Sequence, residues 1–144
     1  MCEWLLLRAV GISNFNSTAI DELFDAGLRV KPSVNQCGYS IAHHNKTLHG
    51  SDPKTIAACR KLGITYSAYS PLGGLTGVDI LRDPRVEAVA KAHGKSTAQV
   101  ALRWLVQQGI VPVTASTNPM HLASDLDIFG FQLSDAEVTA LAEI

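Results

Sequence analysis

The sequence predicts an α/β fold built on a parallel sheet, and three observations carry that prediction. Short apolar runs of strand character begin near residues 8, 34, 64 and 110. Stretches with helical periodicity fill the intervals between them, and polar or glycine-rich residues follow each run. Strands that alternate with helices need crossover connections, which make neighbouring strands parallel. In such folds ligands bind just after the strand ends. A closed eight-stranded barrel takes about 250 residues, so the spacing fits either a small open sheet or part of a barrel.

Each element has its own signal. Arg8-Ala9-Val10-Gly11-Ile12 reads as the first strand, ending at the polar Ser13-Asn14. Thr18 to Asp25 reads as a helix with Ile20, Leu23 and Phe24 on one face and Gly27 at its stop. Val34-Asn35-Gln36 is the second strand, entered from Pro32, and the aperiodic stretch from Gly38 to Gly50 is a loop. Asp52 caps the next helix and Pro53 takes its first position; Ile56, Ala57 and Leu62 form the expected buried face, and Gly63 ends it. Ile64 to Tyr69 is β-branched and aromatic, hence strand three, followed by a loop through Ser70-Pro71-Leu72-Gly73-Gly74. Asp83-Pro84 opens a helix closed by His93-Gly94. Ser96 and Gln99 have capping-box spacing ahead of a helix whose Val100, Ala101, Trp104 and Leu105 share a face. Ile110 to Thr114 is strand four. Asn118-Pro119 begins one further helix, and Ser134 with Glu137 caps the last.

Composition narrows the function classes. The chain has 144 residues, with 12 Lys+Arg against 13 Asp+Glu, a formal net charge of −1 at pH 7, 47% hydrophobic and 17% charged residues. That is the make-up of one folded domain, not of a disordered segment. Near-balanced charge without a run of Lys or Arg lacks the basic footprint of a nucleic-acid binder. The run from Trp4 to Leu7 stops at Arg8, far short of the roughly 20 apolar residues of a membrane span. The acidic Glu3, with no basic stretch beside it, argues against a secretory signal. Cys2, Cys37 and Cys59 are odd in number, far apart and form no C-x-x-C pair, which suits a reducing compartment. The expectation is a cytoplasmic protein that engages neither nucleic acid nor membrane.

Isolated candidate groups carry little. His43, His44 and His49 share one loop but lack the i, i+4 helical spacing of a zinc site and have no Cys or carboxylate set beside them, so no metal is expected. Cys37 has no adjacent base and is not a nucleophile candidate. His93 reads as a cap matched to a helix dipole.

The post-strand segments carry more. Gly11-Ile12-Ser13-Asn14-Phe15, Val34-Asn35-Gln36, Ala68-Tyr69-Ser70-Pro71-Leu72-Gly73 and Ser116-Thr117-Asn118-Pro119 resemble, in order and spacing, the cofactor-side motifs of aldo-keto reductases. Ala98-Gln99-Val100-Ala101-Leu102-Arg103-Trp104 resembles that family's helix before its last strand, and Phe131-Gln132-Leu133-Ser134 its entry into the following helix. The resemblance covers essentially the whole chain. It implies a partial (β/α)8 TIM barrel, strands five to eight with their helices, with residues 1–144 as a single N-terminally truncated domain. The family's Asp, Tyr, Lys and His tetrad belongs to the missing first half, so the resemblance assigns no catalytic residue here.

What the resemblance does assign is a dinucleotide site. Ser13 and Asn14 match the pair that binds the nicotinamide carboxamide, and Gln36 the third group. An amide needs both donors and acceptors, which hydroxyl and carboxamide side chains supply. Tyr69 matches the tyrosine that stacks on the nicotinamide, not the proton donor. Ser70, Pro71, Leu72 and Gly73 form the loop toward the pyrophosphate, where glycine permits close backbone approach. Ser116, Thr117, Asn118 and His121 match the segment at the adenosine 2′-phosphate, where a helix start attracts anions. The family's Lys, Arg and Asn are here Ala115, His121 and Asp125. The implied cofactor is NADP(H), with NAD(H) as the alternative, and the expected outcome is a modest NADPH preference or dual specificity. The implied activity is reduction of a small aldehyde or ketone to an alcohol. The rival reading is a non-catalytic binding or regulatory fragment that pairs with another barrel half. The open edges of a half-barrel, with inward-facing residues such as Val10 and Val34 uncovered, further imply homo-oligomers.

Overall fold

The structure, a computed structural model, describes residues 7–46, 48–74 and 76–144. Cys2, Glu3 and the apolar residues Trp4 to Leu6 lie outside the described residues. The elements run β1 (Gly11–Ser13), α1 (Ser17–Asp25), β2 (Val34–Gly38), α2 (Pro53–Leu62), β3 (Thr65–Tyr69), α3 (Pro84–His93), α4 (Thr97–Gln107), β4 (Val111–Val113), α5 (Pro119–Leu126) and α6 (Asp135–Leu141). Short 3-10 turns occupy Leu48–Gly50 and Ile80–Arg82. The strands form one sheet in the order β1-β2-β3-β4, every pair parallel, as alternating strands and helices require. No described helix is long and apolar enough to cross a membrane.

Register separates the two faces. Ile12 lies opposite Asn35, Asn35 opposite Tyr66, and Ala68 opposite Pro112, so these residues share the face toward the helices. There Ile20, Cys37, Tyr66, Val100, Trp104 and Leu105 belong to one buried core, each large apolar side chain contributing about 1.5–3 kcal/mol by leaving water. The other face carries Ser13, Gln36, Ser67, Tyr69, Val111 and Val113. Val111 and Val113 are 49% and 44% exposed. The sheet is thus covered on one side and open on the other.

Local chemistry sets the helix ends. The Asp52 carboxylate accepts from the Lys54 and Thr55 amides at 2.9 and 3.1 Å, and the Thr55 hydroxyl donates back to it at 2.8 Å. The same hydroxyl accepts from the Ser17 amide at 3.0 Å, tying α1 to α2. Gly63, at φ 62°, closes α2 in the left-handed conformation that glycine adopts without a Cβ penalty. Both expected capping boxes form, Ser96 with Gln99 on α4 and Ser134 with Glu137 on α6.

Four boundaries or faces differ from the sequence expectation. The first strand is Gly11–Ser13, not residues 8–12. Its register sets Gly11 against Val34, so residues 8–10 fall opposite a segment containing Pro32, which has no amide to donate. The second strand runs on through Gly38. The fourth is only Val111–Val113, because the Ile110 amide is spent on the Leu105 carbonyl at the end of α4. On α2 the buried face is centred on Thr55 and Cys59, while Ala57 is exposed; the Asn35 amide donates toward the Cys59 sulfur at 3.7 Å and orients that face.

The stretch from Gly38 to Gly50, expected as a plain loop, is anchored. Tyr39, Ser40 and Ile41 are buried, and isolated bridges join Ser40 to His43 and Lys46 to Ser51. The Tyr39 ring stacks on Trp104 of α4 with centroids 6.0 Å apart, and His44 meets the same indole edge-on at 5.5 Å. Gly50, at φ 73°, abuts the Phe15 carbonyl so closely that no Cβ would fit.

Candidate functional site

The C-terminal ends of the four parallel strands hold most of the residues singled out from sequence. At the end of β1 the Ser13 hydroxyl and the Asn14 amide both donate to the Gln36 carbonyl, at 2.7 and 3.0 Å. Asn14 sits at φ 62° and Ser70, at the end of β3, at φ 52°. Left-handed backbone at a non-glycine residue costs on the order of 1 kcal/mol and persists where the surroundings enforce it. The enforcing contact is visible: the Tyr69 hydroxyl donates to the Asn14 side-chain carbonyl at 3.2 Å, across β2. Ser13, Asn14, Gln36 and Tyr69 are thereby brought together on the open side of the sheet.

Their free valences are complementary to a primary amide. The Gln36 side chain is half-buried and makes no hydrogen bond to a described residue, and the side-chain nitrogen of Asn14, unlike its backbone amide, is likewise uncommitted. The Ser13 oxygen, having donated its proton, keeps its acceptor lone pairs. Two donors and two acceptors therefore converge beside a half-buried aromatic ring held by its hydroxyl.

Next to this group the Gly73 amide donates to the Ser70 carbonyl at 3.1 Å, so Ser70, Pro71, Leu72 and Gly73 form a tight turn. Gly73 has φ 97°, and a Cβ there would lie 3.2 Å from the Val78 carbonyl. The turn leads to a cavity of about 310 Å³. Its walls come from the turn (Leu72), the start of α4 (Ser96, Thr97) and the segment from β4 into α5 (Ser116, His121, Asp125). Thr117 and Asn118, expected beside these, do not line it. The Asn118 side chain is used as the α5 cap, accepting from the Met120 amide at 2.9 Å, and its own amide donates to the Ser116 hydroxyl at 3.1 Å. Ser96, Thr97 and Ser124 line the cavity although sequence reasoning marked Ser96 only as a cap. Ser96 and Thr97 did carry a signal, the helix N-terminus that the capping box marks; Ser124, inside α5, carried none.

The buried titratable groups lie elsewhere. Burial pushes the Cys37 thiol up to about 11 and the Tyr39 hydroxyl up to about 12. Tyr66, whose hydroxyl donates to the Gly50 carbonyl at 2.8 Å, is pushed up further, mainly by burial. At neutral pH burial thus keeps these three groups protonated. His43 is held below the ordinary histidine range by burial, then by Lys46, His44 and His49. His93 sits in the last turn of α3, as expected of a dipole-matched residue, and in addition contacts Glu137 Oε1 through Nε2 at 2.9 Å, clasping α3 to α6.

Comparison with known proteins gives one consistent result. The profile of the Aldo/keto reductase family matches residues 6–144. An aldo-keto reductase of Bombyx mori is 36% identical over 143 residues, spanning 94% of this chain and 44% of its own length. Morphine 6-dehydrogenase of Pseudomonas putida is 38% identical over 147 residues, spanning 95% of this chain and 47% of its own. The crystal structure of the Bombyx mori enzyme in complex with NADP superposes with a TM-score of 0.80 at 35% identity, over 94% of this chain and 44% of that one. The aldose reductase of Schistosoma japonicum gives 0.80 at 31% identity. The chain spans a little under half the length of the curated relatives it matches.

Proposed function

The chain belongs to the aldo/keto reductase family, and from that premise we propose that it is the cofactor-side part of a nicotinamide-dependent reductase acting on a small aldehyde or ketone. In this reading its residues form one domain that corresponds to strands five to eight of an eight-stranded parallel barrel. The observation that carries the reading is the convergence of Ser13, Asn14, Gln36 and Tyr69 at one end of the sheet, beside the 310 Å³ cavity. Four uncommitted amide and hydroxyl functions next to an aromatic face fit a nicotinamide carboxamide and little else of that size.

Each residue then has a defined task. Asn14 and Gln36 donate to and accept from the carboxamide, and Ser13 supplies a further acceptor, so the ring is fixed in one orientation. Tyr69, restrained through Asn14, presents its ring for stacking. Ser70 to Gly73 turn the backbone past the pyrophosphate, and Ser116 and His121 face the adenosine end, with Thr117 and Asn118 shaping the start of α5. The bound dinucleotide, NADP(H) or NAD(H), supplies the hydride that converts the carbonyl to an alcohol. Delivering it also requires a proton donor. The motifs matched by this chain do not include those of the family's tetrad, so this reading assigns it no catalytic residue.

The uncovered apolar residues of β4 and α5 favour a second reading: a non-catalytic or regulatory piece that pairs with another barrel half. One experiment separates the two. Titration of the purified chain with NADPH and NADH should show saturable binding without turnover of aldehydes. A complementary barrel half should restore turnover under the first reading and leave the complex inactive under the second. Absence of any nucleotide binding would overturn the site itself.

A further inference from the structure

We infer that the cavity between α4 and α5 selects an adenosine ribose whose 2′-hydroxyl is free, and that Asp125 is the specificity-determining residue that turns away a 2′-phosphate. The inference rests on the nucleotide-binding reading above and commits it to one cofactor, NAD(H), in place of the modest NADPH preference or dual specificity expected from sequence. Among the side chains that line the cavity, the Asp125 carboxylate alone carries a fixed charge; neither Lys nor Arg reaches it. Asp125 is half-buried, and no described residue pairs with it: the ion pairs formed are Arg82 with Asp79, Arg85 with Asp83, His93 with Glu137, and Lys95 with Asp127. It makes no hydrogen bond to a described residue either, so its acceptor capacity is available to a ligand.

A ribose hydroxyl donates to such a carboxylate and forms a charge-assisted bond. A 2′-phosphate brings between one and two further negative charges to the same space. Three features of the cavity favour anions. The start of α4 presents Thr97 and Ala98 at the positive end of the helix, worth about half a charge, while the Ser96 amide is spent on Gln99 Oε1. His121 also lines the cavity, without the fixed charge of a Lys or Arg. Ser116 adds a hydroxyl. Against them stands a full, unpaired negative charge, and Ala115 contributes no donor. The carboxylate dominates the balance.

Dissociation constants for NADH and NADPH, which differ only in the 2′-phosphate, test this directly on the purified chain by fluorescence titration or calorimetry. We expect NADH to bind at least threefold tighter at low ionic strength, with the gap narrowing in high salt as the repulsion is screened. Asp125→Asn should tighten NADPH at least fivefold, leave NADH equal or weaker, and remove the salt dependence of the ratio. Circular dichroism of the variant confirms an intact fold, and Asp125→Ser offers a second neutral replacement with the same expected ratio. Wild-type binding of NADPH tenfold tighter than NADH, or a ratio unmoved by both replacements, would overturn the assignment while leaving the nucleotide site standing. Binding of neither nucleotide would overturn the site and this inference with it.

Discussion

Tyr69 and Asn14 lie 55 positions apart in sequence, yet the tyrosine hydroxyl donates to the asparagine side-chain carbonyl at 3.2 Å. The bond crosses β2 and fixes both the aromatic ring and a residue held at φ 62°. Tyr69→Phe keeps the ring but frees Asn14, and it should weaken dinucleotide binding about threefold, the worth of one modest hydrogen bond. Tyr69→Ala also removes the stacking surface, and a total loss of roughly tenfold or more is expected. Equal affinities for wild type and Tyr69→Ala in a titration would remove Tyr69 from the site.

Gln36 gives a cleaner discrimination between binding and structure. Its side chain is half-buried and bonds to no described residue, whereas its backbone carbonyl holds Ser13 and Asn14. Gln36→Leu preserves the carbonyl and the approximate volume, so the urea midpoint should stay within about 0.5 kcal/mol of wild type. Dinucleotide affinity should nevertheless fall about fivefold to tenfold, since a bound amide loses its partner. A large stability loss with unchanged affinity would make Gln36 a structural residue.

How much of this was legible from sequence depends on how local each feature is. The caps at Asp52, Ser96, Ser134 and Gly63 were readable because a side chain or a left-handed glycine acts within three residues of itself. Ser13, Gln36 and Tyr69 were singled out through the family resemblance, and the parallel sheet does set them on one face, although β2 runs two residues past Gln36. The α2 face was misread because its orientation is set by Asn35, a residue of another element. His93 was read correctly as a basic residue in the last turn of α3, but its contact with Glu137 was not legible for the same reason: that partner belongs to α6. The cavity joins three segments that are remote in sequence, so Ser96 looked like a cap and nothing more.

The clasp between α3 and α6 has a pH signature. Hydrogen bonds from the Ser134 amide and hydroxyl, then the contact with His93, hold Glu137 below its ordinary value of about 4.5. A carboxyl with a depressed folded-state pKa contributes stability that is complete above the unfolded value and lost as the pH falls through the folded one. Urea midpoints should therefore hold steady from pH 7 to about 5 and drop below about 4.5. Asp83 and Asp127 are also held low, so the readout is a difference. Glu137→Gln should be less stable than wild type at pH 7, and the gap should close as the pH falls through the depressed folded-state value. A gap independent of pH would mean that the carboxylate charge contributes nothing.

Trp104 is the centre of the helical layer. It is 1% exposed, stacks on Tyr39, meets His44 edge-on, and donates from Nε1 to the Val138 carbonyl at 3.0 Å. Trp104→Ala leaves a large cavity and should cost about 3–5 kcal/mol, enough to unfold a marginal domain. Trp104→Phe retains most of the packing and should cost clearly less. Denaturation midpoints of the two variants check the order, and near-equal losses would show that the hydrogen bond outweighs the packing.

The far edge of the sheet sets the behaviour of the isolated chain in solution. β4 pairs only with β3, and its free side borders an apolar groove of about 560 Å³ walled by Val111, Leu122, Leu126 and Phe129. Leu126 is 75% exposed and Phe129 68%. An unpaired strand edge beside contiguous apolar surface promotes association. Association is expected to run through the β4 side, where the exposed apolar residues gather. Sedimentation should show species larger than the monomer whose share rises with protein concentration. Adding one charge to each apolar neighbour, in Leu126→Lys together with Phe129→Lys, should shift the chain toward monomer. Neither residue lines the 310 Å³ cavity, so dinucleotide affinity should remain within about twofold of wild type. A compact wild-type monomer at all concentrations would show that the apolar groove is tolerated in water as it stands. Association that persists in the double variant would move the contact to the open face of Val111 and Val113, where a bound nucleotide should then compete with it.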